Sequence, residues 1–144
     1  MEIGPHIRLV LWKAAKAVEK VDKASIAQTG LGLSDFAIME ALLHKGSLTI
    51  NQIGRKVLLT SGSMTAAINR LEKGGFVERL RDQSDGRYFY VHLTKNGRKV
   101  IRKAYHNHRL NLEKIAEILT DEERMELIRL LKKMGVYADS LVIS

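Results

Sequence analysis

The sequence predicts a mainly α-helical fold that carries one small antiparallel β hairpin. Three observations support that expectation. Apolar residues recur at three- and four-residue steps over most of the chain. Two short runs rich in aromatic and β-branched residues, 76–80 and 88–93, flank a polar turn. Glycines and hydroxyl-bearing caps fall at the joints between these segments. The 144 residues are 45% hydrophobic and 28% charged, enough for one folded domain with its own core.

Residues 6–28 read as the first helix, with Ile7, Leu11, Ala14, Val18 and Val21 along one stripe and Trp12 beside it. Arg8, Lys13, Lys16, Lys20 and Lys23 take the other faces. Thr29-Gly30-Leu31-Gly32 ends this helix and turns the chain. Ser34 is placed to cap a second helix with Phe36, Met39, Leu42 and Leu43 inside, and Gly46 stops it. Ser47-Leu48 occupies the place of a very short additional strand. Thr49 and Gln52 form a capping box for a short helix through Val57, and Thr60 caps the next.

That next helix, Ser61 to Lys73, divides sharply. Met64, Ile68 and Leu71 form a narrow apolar face, while Ser63, Thr65, Ala66, Asn69, Arg70 and Lys73 lie on the flanks and opposite side. Gly74 and Gly75 supply its stop. The hairpin follows, its turn bearing Arg81 and Arg87 at the shoulders. Thr94 caps a long helix to about Leu119. Thr120 and Glu123 form a second capping box, with acids at the positive end of a final helix. That helix is expected to bury Leu127, Leu130, Leu131 and Met134 on one side. The element order is therefore α-α-α-α-β-β-α-α.

The charge is unevenly placed. Between Arg55 and Lys103 lie twelve Lys and Arg against four Asp and Glu, so this stretch alone carries the whole net +8 of the chain. Clustered basic charge on a helix and hairpin is the electrostatic footprint of a polyanion site. A short helix followed by a basic hairpin is the arrangement with which a winged helix grips duplex DNA, one element in the major groove and the other at backbone or minor groove. The absence of cysteine excludes disulfides, thiolate metal sites and thiol redox sensing. The apolar run Ile7–Trp12 is too short for a membrane span and lacks a signal-peptide cleavage pattern, so a cytoplasmic protein without membrane association is expected. No nucleophile–base pair, phosphate-cradling loop or cofactor motif supports an enzyme, and no cofactor is expected.

Three sequence words in this region resemble the MarR family of bacterial transcription regulators. They are Leu71-Glu72-Lys73-Gly74-Gly75-Phe76-Val77-Glu78-Arg79, then Asp85-Gly86-Arg87, then Leu93-Thr94-Lys95-Asn96-Gly97. The order and spacing of the three are specific, and the flanking helices and length fit as well. The resemblance implies a winged helix-turn-helix core with N- and C-terminal dimerisation helices. Over this single domain, 1–144, residues 34–100 would form the DNA-binding lobe, and 1–30 with 101–144 the helical dimerisation lobe. It further implies a homodimer on pseudo-palindromic double-stranded DNA, usually repressing, released by a small apolar or phenolic effector. Arg87 would enter the minor groove, steadied by Asp85. The family's commoner wing has proline where this chain has Gln83 and arginine where it has Gly86, which predicts a more flexible turn with one phosphate contact fewer.

The expected DNA-binding residues are Ser61, Ser63, Thr65, Asn69, Arg70, Lys73, Arg79, Asp85 and Arg87. Small hydroxyl residues let the start of the helix approach bases closely, and Asn69 suits a bidentate contact to adenine. Arg79 and Arg81 suit either phosphate or nearby acids. Trp12, Phe36, Met39 and Tyr105 are candidates for lining an effector pocket, or else plain core. Two other functions compete. One is a zinc-responsive regulator of the same fold, for which Glu40 and His44 stand at i and i+4. His106 and His108 point away from each other, and no metal ligand set is assigned. The other is an interaction module or DNA coater with no sequence preference.

Overall fold

The computed structural model describes residues 2–57 and 61–141. In chain order it contains α1 (Ile3–Ala27), α2 (Leu33–Lys45), β1 (Leu48–Thr49), α3 (Ile50–Val57), α4 (Ser61–Lys73), β2 (Val77–Arg81), β3 (Phe89–Leu93), α5 (Lys95–Ala116) and α6 (Asp121–Ser140). The expected Thr60 cap lies outside the described residues. The chain divides into two compact units, Met1–Asn111 and Leu112–Ser144.

Local chemistry sets the element boundaries. Thr49 N donates to Gln52 Oε1 at 2.9 Å while Gln52 N donates to Thr49 Oγ1 at 3.2 Å, a reciprocal capping box at α3. Thr120 and Glu123 repeat it at α6, at 2.9 and 3.2 Å. At the end of α4, Phe76 N reaches Leu71 O and Gly75 N reaches Glu72 O, each at 3.0 Å, with Gly75 at φ 79°. This is a Schellman stop, in which a left-handed glycine satisfies the last carbonyls. Thr94 Oγ1 accepts from Gly97 N at 2.9 Å and donates to Gly75 O at 2.6 Å, capping α5 and tying its start to the end of α4. Gly97 is required by this closeness: a Cβ there would sit 1.9 Å from the Phe76 carbonyl oxygen.

The sheet runs β1-β3-β2, antiparallel throughout, with Leu48 opposite Val91 and Val77 opposite Leu93. Its inner residues join α2, α3, α4 and the first half of α5 around one core. Ile38, Met39, Ile53, Ile68, Val91 and Ile101 are wholly buried there. The predicted inner faces of α2 and α4 are found as expected, and Ala67 and Ile38 join them.

Four expectations need correction. The cap of α2 is Gly32, in extended conformation, and Ser34 already lies inside the helix. Glycine fills the cap position nearly as well as a hydroxyl residue, so the helix begins earlier. The short strand is Leu48–Thr49, one residue later than expected. Helix α5 ends at Ala116, three residues before Leu119. Leu127, Leu130, Leu131 and Met134 are 38–47% exposed and α6 buries no residue, because its own unit contains no second layer to cover that face. On α1 the stripe residues Ile7, Leu11, Val18 and Val21 are likewise 39–44% exposed, and only Ser25 and Ile26 are buried.

Candidate nucleic-acid interface

Burial of Met64, Ala67, Ile68 and Leu71 fixes which side of α4 faces out. Ser63, Thr65, Asn69, Arg70 and Lys73 are all on the exposed side. Ser61 is the first residue of this helix. The Schellman stop and the Thr94 tie then aim the chain directly into β2, so helix and hairpin are held as one piece.

The wing turn is built from two aspartates. Asp82 Oδ1 accepts from Ser84 N at 2.9 Å and Ser84 Oγ at 2.8 Å, and Asp82 N donates to Tyr88 O at 2.9 Å. Asp85 receives Arg87 through Nε to Oδ1 at 3.0 Å, Nη2 to Oδ2 at 2.7 Å, and the Arg87 backbone N to Oδ1 at 3.1 Å. A two-pronged guanidinium–carboxylate pair fixes direction as well as distance. The side-chain and backbone bonds from Arg87 hold the Asp85 carboxyl below its usual range, and the side-chain bond to Asp85 holds the Arg87 guanidinium above its own, so both stay charged at neutral pH. Arg87 nevertheless leaves 84% of its side chain exposed. With Gln83 instead of proline, these side-chain bonds supply the order of the turn. Arg81 lies over the Phe89 ring at 5.2 Å.

Besides Asp85 and Arg87, the predicted contact residues Arg70, Arg79 and Asn69 are also engaged within the chain. Arg70 Nη2 bonds Asp35 Oδ1 at 2.6 Å, joining α4 to the first turn of α2. Arg79 Nη2 donates to Asn69 Oδ1, and Arg79 Nε has Glu72 Oε1 at 3.9 Å. Lys73 is exposed in the last turn of α4.

Asp35 and a second polar cluster escaped the sequence reading. His108, buried on α5, has Nε2 3.1 Å from Asp22 Oδ1 and Nδ1 2.8 Å from Ser25 Oγ, which also accepts from Asn111 Nδ2 at 2.8 Å. The Phe36 ring meets His108 edge-on at 4.9 Å. The signal available in sequence was a pair of polar residues three apart on each helix, Asp22 with Ser25 and His108 with Asn111. Together they pin the end of α1 to α5. Glu40, on α2, lies near this cluster, and burial raises its carboxyl above the usual range.

Of the effector candidates, Phe36 and Met39 are fully buried in the core and Tyr105 packs at its edge against His44, ring to ring at 4.6 Å. Trp12 stands apart on α1, 57% exposed. His44 lies 3.9 Å from Glu40. Among the described residues no three His, Asp or Glu side chains are grouped to hold a metal ion, and no helix is long and apolar enough to cross a membrane.

Residues 20–104 match the family model described as transcriptional regulator SarA/Rot. Over 142 residues the chain is 36% identical to the uncharacterized HTH-type transcriptional regulator YkoM of Bacillus subtilis, covering 99% of this chain and 92% of that protein. The structure of NadR in complex with 4-hydroxyphenylacetate superposes with a TM-score of 0.75 at 25% identity, over 89% of this chain and 91% of that one. A mutant MarR from E. coli, complexed with operator DNA, has the same fold, with a TM-score of 0.75 at 22% identity over 92% and 94% of the two chains.

Proposed function

The chain belongs to the MarR-type winged helix-turn-helix regulators of transcription, and from that premise we propose that it is a homodimeric cytoplasmic repressor of a pseudo-palindromic operator. The observation that carries this reading is the Asp85–Arg87 pair at the tip of the wing. It presents an oriented, fully charged and open guanidinium one hairpin away from an exposed helix face. A narrow minor groove concentrates negative potential and attracts such an arginine. Ser61, Ser63, Thr65, Asn69 and Lys73 on α4 meet the adjacent major groove. Arg70 and Arg79 act chiefly by holding that helix face in place through Asp35 and Asn69.

The uncovered apolar faces of α1 and α6 support dimerisation, since isolated helices with such faces gain stability by burying them. Release by a small phenolic or apolar compound is supported by the complex of NadR with 4-hydroxyphenylacetate. Of the four candidates, Trp12 and Tyr105 retain the surface to touch an effector, while Phe36 and Met39 shape the wall from within the core. To act, the effector must bind one spacing of the two DNA-binding lobes better than the other.

The test is selection from random duplexes followed by footprinting on the upstream intergenic DNA. The expected result is a two-fold sequence with half-sites about 10 base pairs apart, protected at low protein concentration. Binding with a steep salt dependence but no sequence preference would refute the operator reading.

A further inference from the structure

The geometry points to Arg79 as a specificity-determining residue that sets which base Asn69 reads. This rests on the reading of α4 as the helix in the major groove. An arginine side chain has only donors, so the atom that Arg79 Nη2 meets on Asn69 must be the amide oxygen. The amide is therefore oriented by chemistry, with Oδ1 turned to Arg79 and Nδ2 left for a ligand. The arginine stem comes from β2 on the inner face of the sheet opposite Val91. Glu72 Oε1 lies 3.9 Å from Nε, an ion pair too long for a hydrogen bond that leaves the buried Nε without one among the described residues. Asn69 and Glu72 sit three residues apart on the same helix, so one arginine spans both.

The consequence reverses the expectation drawn from residue type alone. An asparagine reads adenine by accepting from N6 and donating to N7 in one plane, which needs both ends of the amide. Here a full positive charge occupies the acceptor end and weakens its remaining lone pair, while polarising the N–H groups into better donors. Asn69 so held is a donor-only reader. It fits an edge that offers acceptors alone, O6 and N7 of guanine or O4 of thymine, and adenine leaves N6 unpaired against it. Arg79 touches no base in this arrangement, and acts through Asn69 as a positioning residue.

The experiment places all four bases in turn at each position of the selected half-site and measures affinity by fluorescence anisotropy for the full chain and its variants. At one position per half-site the native protein is expected to favour guanine or thymine over adenine by roughly tenfold, and Asn69→Ala is expected to flatten that preference. Arg79→Leu should shift the same position toward adenine, and Arg79→Lys, which keeps a cation, should shift it less. An Asn69-dependent preference for adenine in the native protein overturns the inference without any Arg79 variant. A folded Arg79→Leu that leaves the preference unmoved also overturns it. If Asn69→Ala keeps every preference while Arg87→Ala weakens binding, Asn69 reads no base and the inference falls, though the operator reading stands. If the native protein discriminates at no position, both fall together.

Discussion

Helices α4 and α6 have similar amphipathic patterns and opposite fates. On α4 the residues Met64, Ala67, Ile68 and Leu71 are at most 1% exposed, whereas on α6 Leu127, Leu130, Leu131 and Met134 stay 38–47% exposed. Both helices have apolar residues at three- and four-residue spacing, so the pattern shows that a face wants cover without showing what covers it. For α4 the cover is in the chain: α2, the sheet and the start of α5 close over it. For α6 it is the second copy proposed above. The difference separates residues that hold the fold from residues that hold the assembly, and matched substitutions in the two regions test it.

The largest contrast is a charge placed on each face. Ile68→Asp buries an unpaired carboxylate in the core and should abolish the cooperative thermal transition. Leu130→Asp should leave helicity by circular dichroism intact and convert a dimer to a monomer in sedimentation equilibrium. A Leu130→Asp protein that remains dimeric would remove α6 from the interface.

Next comes the same glycine-to-alanine change in two helices. Gly97→Ala drives a methyl into the Phe76 carbonyl and should cost about 3 kcal/mol or more, read by urea denaturation. Gly135, inside α6, has nothing within 4 Å of an added Cβ, so Gly135→Ala should stabilise by up to about 1 kcal/mol. Caps give a smaller contrast. Thr94→Ala loses bonds to both Gly97 N and Gly75 O and should cost about 2 kcal/mol, against about 1 kcal/mol for Thr120→Ala.

The smallest expected effect is pH-dependent. Burial raises the Glu40 carboxyl, more than His44 and His108 lower it. A raised folded-state value gives a contribution that is full below the unfolded carboxylate range and is lost as pH rises through the folded value. Glu40→Gln should therefore raise Tm by roughly 1–3 °C at pH 7 and leave it unchanged near pH 3. A lower Tm at pH 7 would mean that the attraction to the two histidines outweighs burial.

What the sequence made legible was local. Capping boxes at Thr49 and Thr120, the Gly74-Gly75 stop, the hairpin and the Asp85–Arg87 pair all join residues within a few positions of one another, where spacing alone decides geometry. What it hid was long-range. Asp35 meets Arg70 across 35 residues and Ser25 meets His108 across 83, and no periodicity connects them. Asn69 shows the same limit in the site itself. Its residue type suited adenine, but the arginine that occupies its oxygen comes from a different element. Ser34 failed for a simpler reason, since a glycine two residues earlier could cap the helix as well.

The most direct measurement compares two arginines of equal chemistry in the two regions. Arg87 is bound two-pronged by Asp85 on the wing, and Arg129 is bound two-pronged by Glu126 on α6, with Nη2–O distances of 2.7 and 2.6 Å. Affinity for the selected duplex is measured at physiological salt for Arg87→Ala and Arg129→Ala. The account predicts a loss of roughly ten- to a hundredfold for Arg87→Ala and no change for Arg129→Ala. Equal affinities for the two variants would contradict it.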